Sequence, residues 1–103
     1  MKIIEQEEVR KLLQPKDCIQ LMAEALKGLE SGEYAQPARL ITVMPNTAKF
    51  GFMPAYVGDY FGAKVISAFA PNMGTKYPSH IGYVMLFESA HSTVAGMIEA
   101  GSI

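Results

Sequence analysis

Lys64 stands alone in the apolar run "GAKVISAFA", with Ala63 and Val65 on either side. An ammonium in an otherwise buried strand must snorkel to an edge or meet an anion, because an unpaired buried charge is too costly to persist. Arg39 opens the earlier apolar run "RLITVMP". Two cations at neighbouring strand ends can clamp a carboxylate, arginine through two parallel N–H bonds and lysine as a point charge. The same residues also read as two solvated strand-end charges, and spacing alone does not choose between these readings.

The other reactive side chains form no recognisable constellation. His80 and His91 are isolated, with no second ligand at metal spacing, so no metal site is expected. Asp59 and Glu88 show no pattern suited to paired acid and base work. Cys18 borders an apolar helical stripe with no base partner nearby, which reads as a small hydrophobe rather than a nucleophile. The nine glycines never spell G-x-G-x-x-G or a Walker loop, so this chain is expected to hold no nucleotide by itself. No catalytic residue is assigned within it.

The elements that would position Lys64 and Arg39 follow from periodicity. Glu7 to Leu13 is a short amphipathic segment. Pro15 suits a first helical position and Asp17 a first turn, while Ile19, Met22, Ala23, Leu26 and Leu29 recur at spacings of three and four. With Gly32 as a left-handed cap, the pattern predicts a helix over about residues 15 to 31. From Ala38 onward the period becomes that of strands. "RLITVMP" and "KFGFMPAYV" flank a turn at "NTAK", "AKVISAFA" follows, and "PNMGTKYPS" is a loop. "IGYVMLFES" and "TVAGMIEA" form a second hairpin.

The result is one α+β domain over residues 1–103, with two helices followed by a mainly antiparallel sheet of about five to six strands. The strands are apolar on both faces, which predicts a sheet covered twice, once by the main helix and once by another subunit. A net charge of -1 and the lack of a basic run exclude a polyanion-binding surface, so neither nucleic acid nor an anionic membrane is an expected partner. The single cysteine and the absence of a signal-peptide pattern in "MKIIEQEEVR" point to the cytoplasm.

Taken in order, "MPAYV", "GAKVISAFAPN", "PSHIGYVMLFES" and "VAGMIEAGSI", with "EEVRKLL", "AEALKGLESGE" and "QPARL" before them, resemble the first domain of the ornithine cyclodeaminase and mu-crystallin family. The resemblance covers essentially the whole chain. It implies an N-terminal substrate-binding and dimerisation domain, packed sheet to sheet in a homodimer, within a longer architecture that continues into a Rossmann domain carrying NAD or NADP. Family members move a hydride at the α-carbon of amino or imino acids, as in ornithine cyclisation, alanine oxidation or ketimine reduction. By resemblance, Lys64 matches the lysine that binds the substrate carboxylate, Arg39 the arginine that assists it, and Met53 a pocket-lining methionine beside Pro54.

Two departures shape the expectation. The family's further carboxylate-binding arginine, its catalytic aspartate and its dinucleotide fingerprint would lie beyond Ile103, so the chain alone is expected to be inactive and to bind no cofactor. Members specific for ornithine carry an acid two places before the methionine, where this chain has Gly51. That leans the reading toward alanine dehydrogenase-like or ketimine reductase-like relatives. The alternative from a different class is a non-catalytic module that oligomerises or binds small carboxylates.

Overall fold

The computed structural model describes residues 2–101. Its elements run β1 (Lys2–Ile4), α1 (Gln6–Leu12), α2 (Pro15–Ser31), β2 (Leu40–Val43), β3 (Lys49–Tyr56), β4 (Tyr60–Ala68), β5 (His80–Glu88) and β6 (Val94–Glu99). A 3-10 turn over Ala70–Asn72 lies in the loop after β4. The strands form one six-stranded sheet in the order β1-β6-β5-β4-β3-β2. Neighbours pair antiparallel except β1, which runs parallel to β6. This is the expected α+β architecture, with β1 added as a sixth strand ahead of the helices.

The helix boundaries have local causes. Pro15 stands in the first turn of α2, where its missing N–H is harmless, with Asp17 close behind, and Gly32 ends the helix at φ 82°. The Gly32 N–H bonds back to the Leu29 carbonyl. Beyond the cap, the Tyr34 ring lies over Gly28 in the space that a β-carbon there would fill. Tyr34 N–H also reaches the Gly28 carbonyl at 3.0 Å, and Ala35 bridges Tyr56. The end of α2 is thereby tied to the end of β3.

One expectation is corrected here. The spacing does put Ile19, Met22, Leu26 and Leu29 on α2 together, but that stripe does not cover the sheet. Ile19 is 73% exposed and Leu26 63%. The helix that packs on the sheet is α1, against β6, with Val9 buried. A helical period tells which residues share a face and carries no information about what that face meets.

The β2–β3 hairpin turns through Asn46, whose Oδ1 accepts the Ala48 N–H at 3.0 Å, and through Thr47 at φ 72°. The β5–β6 turn is organised by Glu88, whose carboxylate accepts the His91 and Thr93 N–H groups and the Thr93 hydroxyl. The loop between β4 and β5 is braced internally, with Asn72 Nδ2 donating to the Pro78 carbonyl and Phe69 N–H to the Ser79 carbonyl. Among the described residues, Val9, Ala48 and Ala100 are the buried hydrophobic side chains. A single sheet layer cannot bury both of its faces, and here Phe50, Phe52, Ile41 and Ile81 are all exposed.

Candidate functional site

The register places the predicted residues in one row across the sheet. Met53 on β3 opposes Lys64 on β4, Lys64 opposes Val84 on β5, and Val84 opposes Ile98 on β6. Residues paired directly across strands project to the same face, so Met53, Lys64 and Val84 share one. Leu40 opposes Phe52 at the end of the β2–β3 ladder, and Arg39 is the residue just before it, near the Met53 end of the row. Arg39 precedes β2 and is exposed. Two strand spacings separate its backbone from that of Lys64, roughly 10 Å.

Pro54 explains the opening on that side. β2 ends opposite Phe52, so β3 has no ladder partner there until the isolated bridge between Ala35 and Tyr56. Proline, which lacks an N–H, is tolerated where a strand has become an edge. The lead-in from Ala35 to Leu40 holds one residue more than the facing stretch from Phe52 to Tyr56, so the segment with Pro37 and Arg39 must bulge.

Met53 and Lys64 line a hollow of about 200 Å³ together with Ala55, Val57, Val84 and Leu86. Lys64 is the one charged residue of that lining. It is half-buried and, among the described residues, makes no ion pair or hydrogen bond. Its stem is held from behind. A β-carbon at Gly82 would stand 3.1 Å from Ile66 Cγ2 and 3.5 Å from Lys64 Cε, so both side chains lean over that glycine. Ile66 also covers Gly51, where a β-carbon would come within 2.8 Å of its Cγ1. Lys64 and Ile66 therefore pack as neighbours along one face. Arg39 is not part of the hollow's lining.

The opposite face is broader and carries no cation in its hollow. Phe50, Phe52, Phe61, Tyr83, Met85 and Phe87 line an apolar groove of about 660 Å³. Phe61 and Phe87 stack with centroids 5.3 Å apart and planes 7° from parallel. At its rim the Tyr83 hydroxyl donates to Glu5 Oε2 at 2.8 Å, and this hydrogen bond is the main reason the phenol is held above its ordinary pKa.

The remaining candidates stay apart. His80 meets Ser79 Oγ at 3.4 Å through Nδ1, and His91 stands in the β5–β6 turn with Nδ1 3.6 Å from Glu88. Among the described residues no His, Cys, Asp or Glu cluster could hold a metal ion. Cys18 is a free, half-buried thiol on α2. Sequence reasoning treated Glu88 as merely unpaired and missed its part in building the turn. The signal was present, since an acid three residues before His91 and five before Thr93 can accept the N–H groups of a tight turn. It also missed the Gly51–Ile66–Gly82 row, which emerges only from the register.

The start of α2 lacks the features of a dinucleotide-binding turn. α2 follows α1 rather than a strand, and it begins with Pro15 and Asp17 in place of a glycine-rich turn with free N–H groups. No helix of the described residues is long and apolar enough to cross a membrane.

Known structures share this fold closely. An archaeal alanine dehydrogenase dimer with bound NAD superposes with a TM-score of 0.90 at 20% identity, covering 97% of this chain and 31% of that one. The Thermococcus litoralis Δ1-pyrroline-2-carboxylate reductase in complex with NADH and L-proline gives 0.91 at 22% identity, covering 98% and 32%. The iminosuccinate reductase of Paracoccus denitrificans in complex with NAD+ gives 0.89 at 14% identity, covering 98% and 32%. The chain thus spans about a third of the length of these structures. No curated protein matches it. The ornithine cyclodeaminase/mu-crystallin family matches over residues 1–103, the full length of the chain, and the protein belongs to that family.

Proposed function

We propose that the chain is the N-terminal substrate-binding and dimerisation domain of a cytoplasmic enzyme that acts on α-amino or imino acids with NAD or NADP. The observation that carries this reading is Lys64, a half-buried residue that lines a small hollow beside Met53 and makes no ion pair or hydrogen bond among the described residues. An unpaired cation over apolar side chains is completed by an anionic ligand. The substrate carboxylate is that ligand, held by Lys64, with Arg39 reaching in from the β2 lead-in when substrate is present. Fixing the carboxylate fixes the α-carbon, which is catalysis by orientation. The redox chemistry belongs to a nicotinamide carried by residues outside this chain, so the 103-residue polypeptide alone turns nothing over.

The broad apolar groove on the other face supports dimerisation. Phe50 and Phe52 are 47% and 44% exposed there, and Ile81 46%. A contiguous apolar surface of this kind marks an interaction site, and a second copy of the same sheet covers it. The lone Cys18 supports the cytoplasmic assignment.

The test is a titration of L-proline into the chain, followed by the Met53 methyl resonance. A saturable shift that disappears in Lys64→Met supports carboxylate binding at this row. A methyl signal that stays fixed up to high millimolar ligand overturns it.

A further inference from the structure

The lining of the hollow says more than that a carboxylate binds. Resting on the reading above, we infer that the site selects short monocarboxylates whose side chains are uncharged and aliphatic, and discriminates against both diamino and dicarboxylic acids. The side chains on the Lys64 face of the hollow are Met53, Ala55, Val57, Val84 and Leu86, none of which can pair with a second charge. Once the ammonium has taken the α-carboxylate, the rest of the ligand meets only apolar wall.

The neighbouring row offers no polar side chain. Ile66 leans over Gly51 on one side and Gly82 on the other, so the neighbour of Lys64 along β4 on this face is a branched hydrocarbon. The nearest acid along the same face of β5 is Glu88, which opposes Tyr60 rather than Lys64. Four residues separate Tyr60 from Lys64, a span of roughly 13 Å. Its carboxylate is already engaged by the His91 and Thr93 N–H groups and by the Thr93 hydroxyl. A cationic side-chain terminus therefore finds no anion in the lining of the hollow. A second carboxylate finds no free cation either, since Lys64 is the one charged residue of the lining and Arg39, when it reaches in, joins Lys64 on the α-carboxylate.

Size agrees with this chemistry. At about 200 Å³ the hollow is below the roughly 300–1,000 Å³ of pockets that take drug-sized ligands. An amino acid with a side chain of one to three carbons suits it. A charged terminus left unpaired against apolar side chains should lower affinity at least about tenfold, because the stranded group has given up its water without gaining a partner.

The experiment compares four ligands that share the α-ammonium and α-carboxylate and differ in the side chain. L-Alanine, L-proline, L-ornithine and L-aspartate are titrated separately into the chain, with dissociation constants read from the Met53 methyl and the Val84 amide. L-Alanine and L-proline should bind about tenfold or more tightly than L-ornithine and L-aspartate. Equal or tighter binding of L-ornithine or L-aspartate at the same resonances overturns the selectivity while leaving the carboxylate site intact. Absence of binding by all four overturns the carboxylate reading itself and this inference with it. Leu86→Glu supplies a second arm, in which the added acid should bring L-ornithine to parity with L-alanine or beyond. An unchanged ligand order in a folded Leu86→Glu chain would count against the wall as the source of selectivity.

Discussion

Replacing Lys64 by methionine separates what the residue does for the fold from what it does for a ligand. Methionine keeps an unbranched stem of similar length, so the packing beside Ile66 and over Gly82 survives, while the ammonium is removed. The lost charge has no ion pair or hydrogen bond among the described residues, so no native interaction disappears with it. Stability should therefore change by no more than about 0.5 kcal/mol, or rise slightly as a half-buried charge is relieved. Ligand binding should respond very differently. A hydrogen bond to a charged partner contributes roughly 1.5–3 kcal/mol, so carboxylate affinity should fall about 10- to 150-fold. Urea unfolding gives the first quantity and an L-proline titration the second. A loss of more than about 1 kcal/mol of stability with an unchanged dissociation constant would refute the argument, because Lys64 would then be a structural residue.

Three other perturbations probe different parts of the account. The wild-type chain should be a dimer by light scattering, and Phe52→Asp should make it monomeric by placing a charge in the apolar groove; a wild-type monomer at all concentrations would count against the sheet-to-sheet interface. Glu88 is held below its ordinary value of 4.5, first by the Thr93 N–H, then by the Thr93 hydroxyl and the His91 N–H. Because its folded pKa is the lower one, its contribution to the β5–β6 turn is complete above 4.5 and is lost as pH falls through the folded value. A carboxyl titration by NMR should give a midpoint below 4.5 with the Thr93 amide shifting in step, and a midpoint at or above 4.5 would contradict the hydrogen-bond arrangement. Gly28→Ala drives a methyl into the Tyr34 ring and should cost about 1–3 kcal/mol, lowering the melting temperature by about 4 °C or more; an unchanged melting temperature would mean that the close packing of Tyr34 on α2 is absent.

Much of this was legible in the residues because the causes are local. Pro15 and Gly32 bracket α2 at the positions where proline and a left-handed glycine are tolerated, and the helix runs Pro15–Ser31. Turn chemistry at Pro45 and Asn46 marks the first hairpin, where Asn46 Oδ1 accepts the Ala48 N–H. Lys64 stood out because a single charge within an apolar strand demands an explanation, and the structure leaves that demand open to a ligand. What was not legible depends on pairing at a distance. β1 is a strand of three residues that exists through its parallel partner β6, and "KII" by itself carries too short an alternation to reveal it. The stripe of α2 could be read, but not the fact that it stays exposed. The alignment of Met53, Lys64 and Val84 in one row follows from registers across three strands, and those registers are tertiary facts.

The central claim is that Lys64 receives a substrate carboxylate, and a crystal structure of the chain grown with L-proline tests it most directly. The account predicts a carboxylate oxygen within about 3 Å of Lys64 Nζ, with the ring against Met53 and Val84. L-Proline seated elsewhere, with no carboxylate on the Lys64 ammonium, would contradict it.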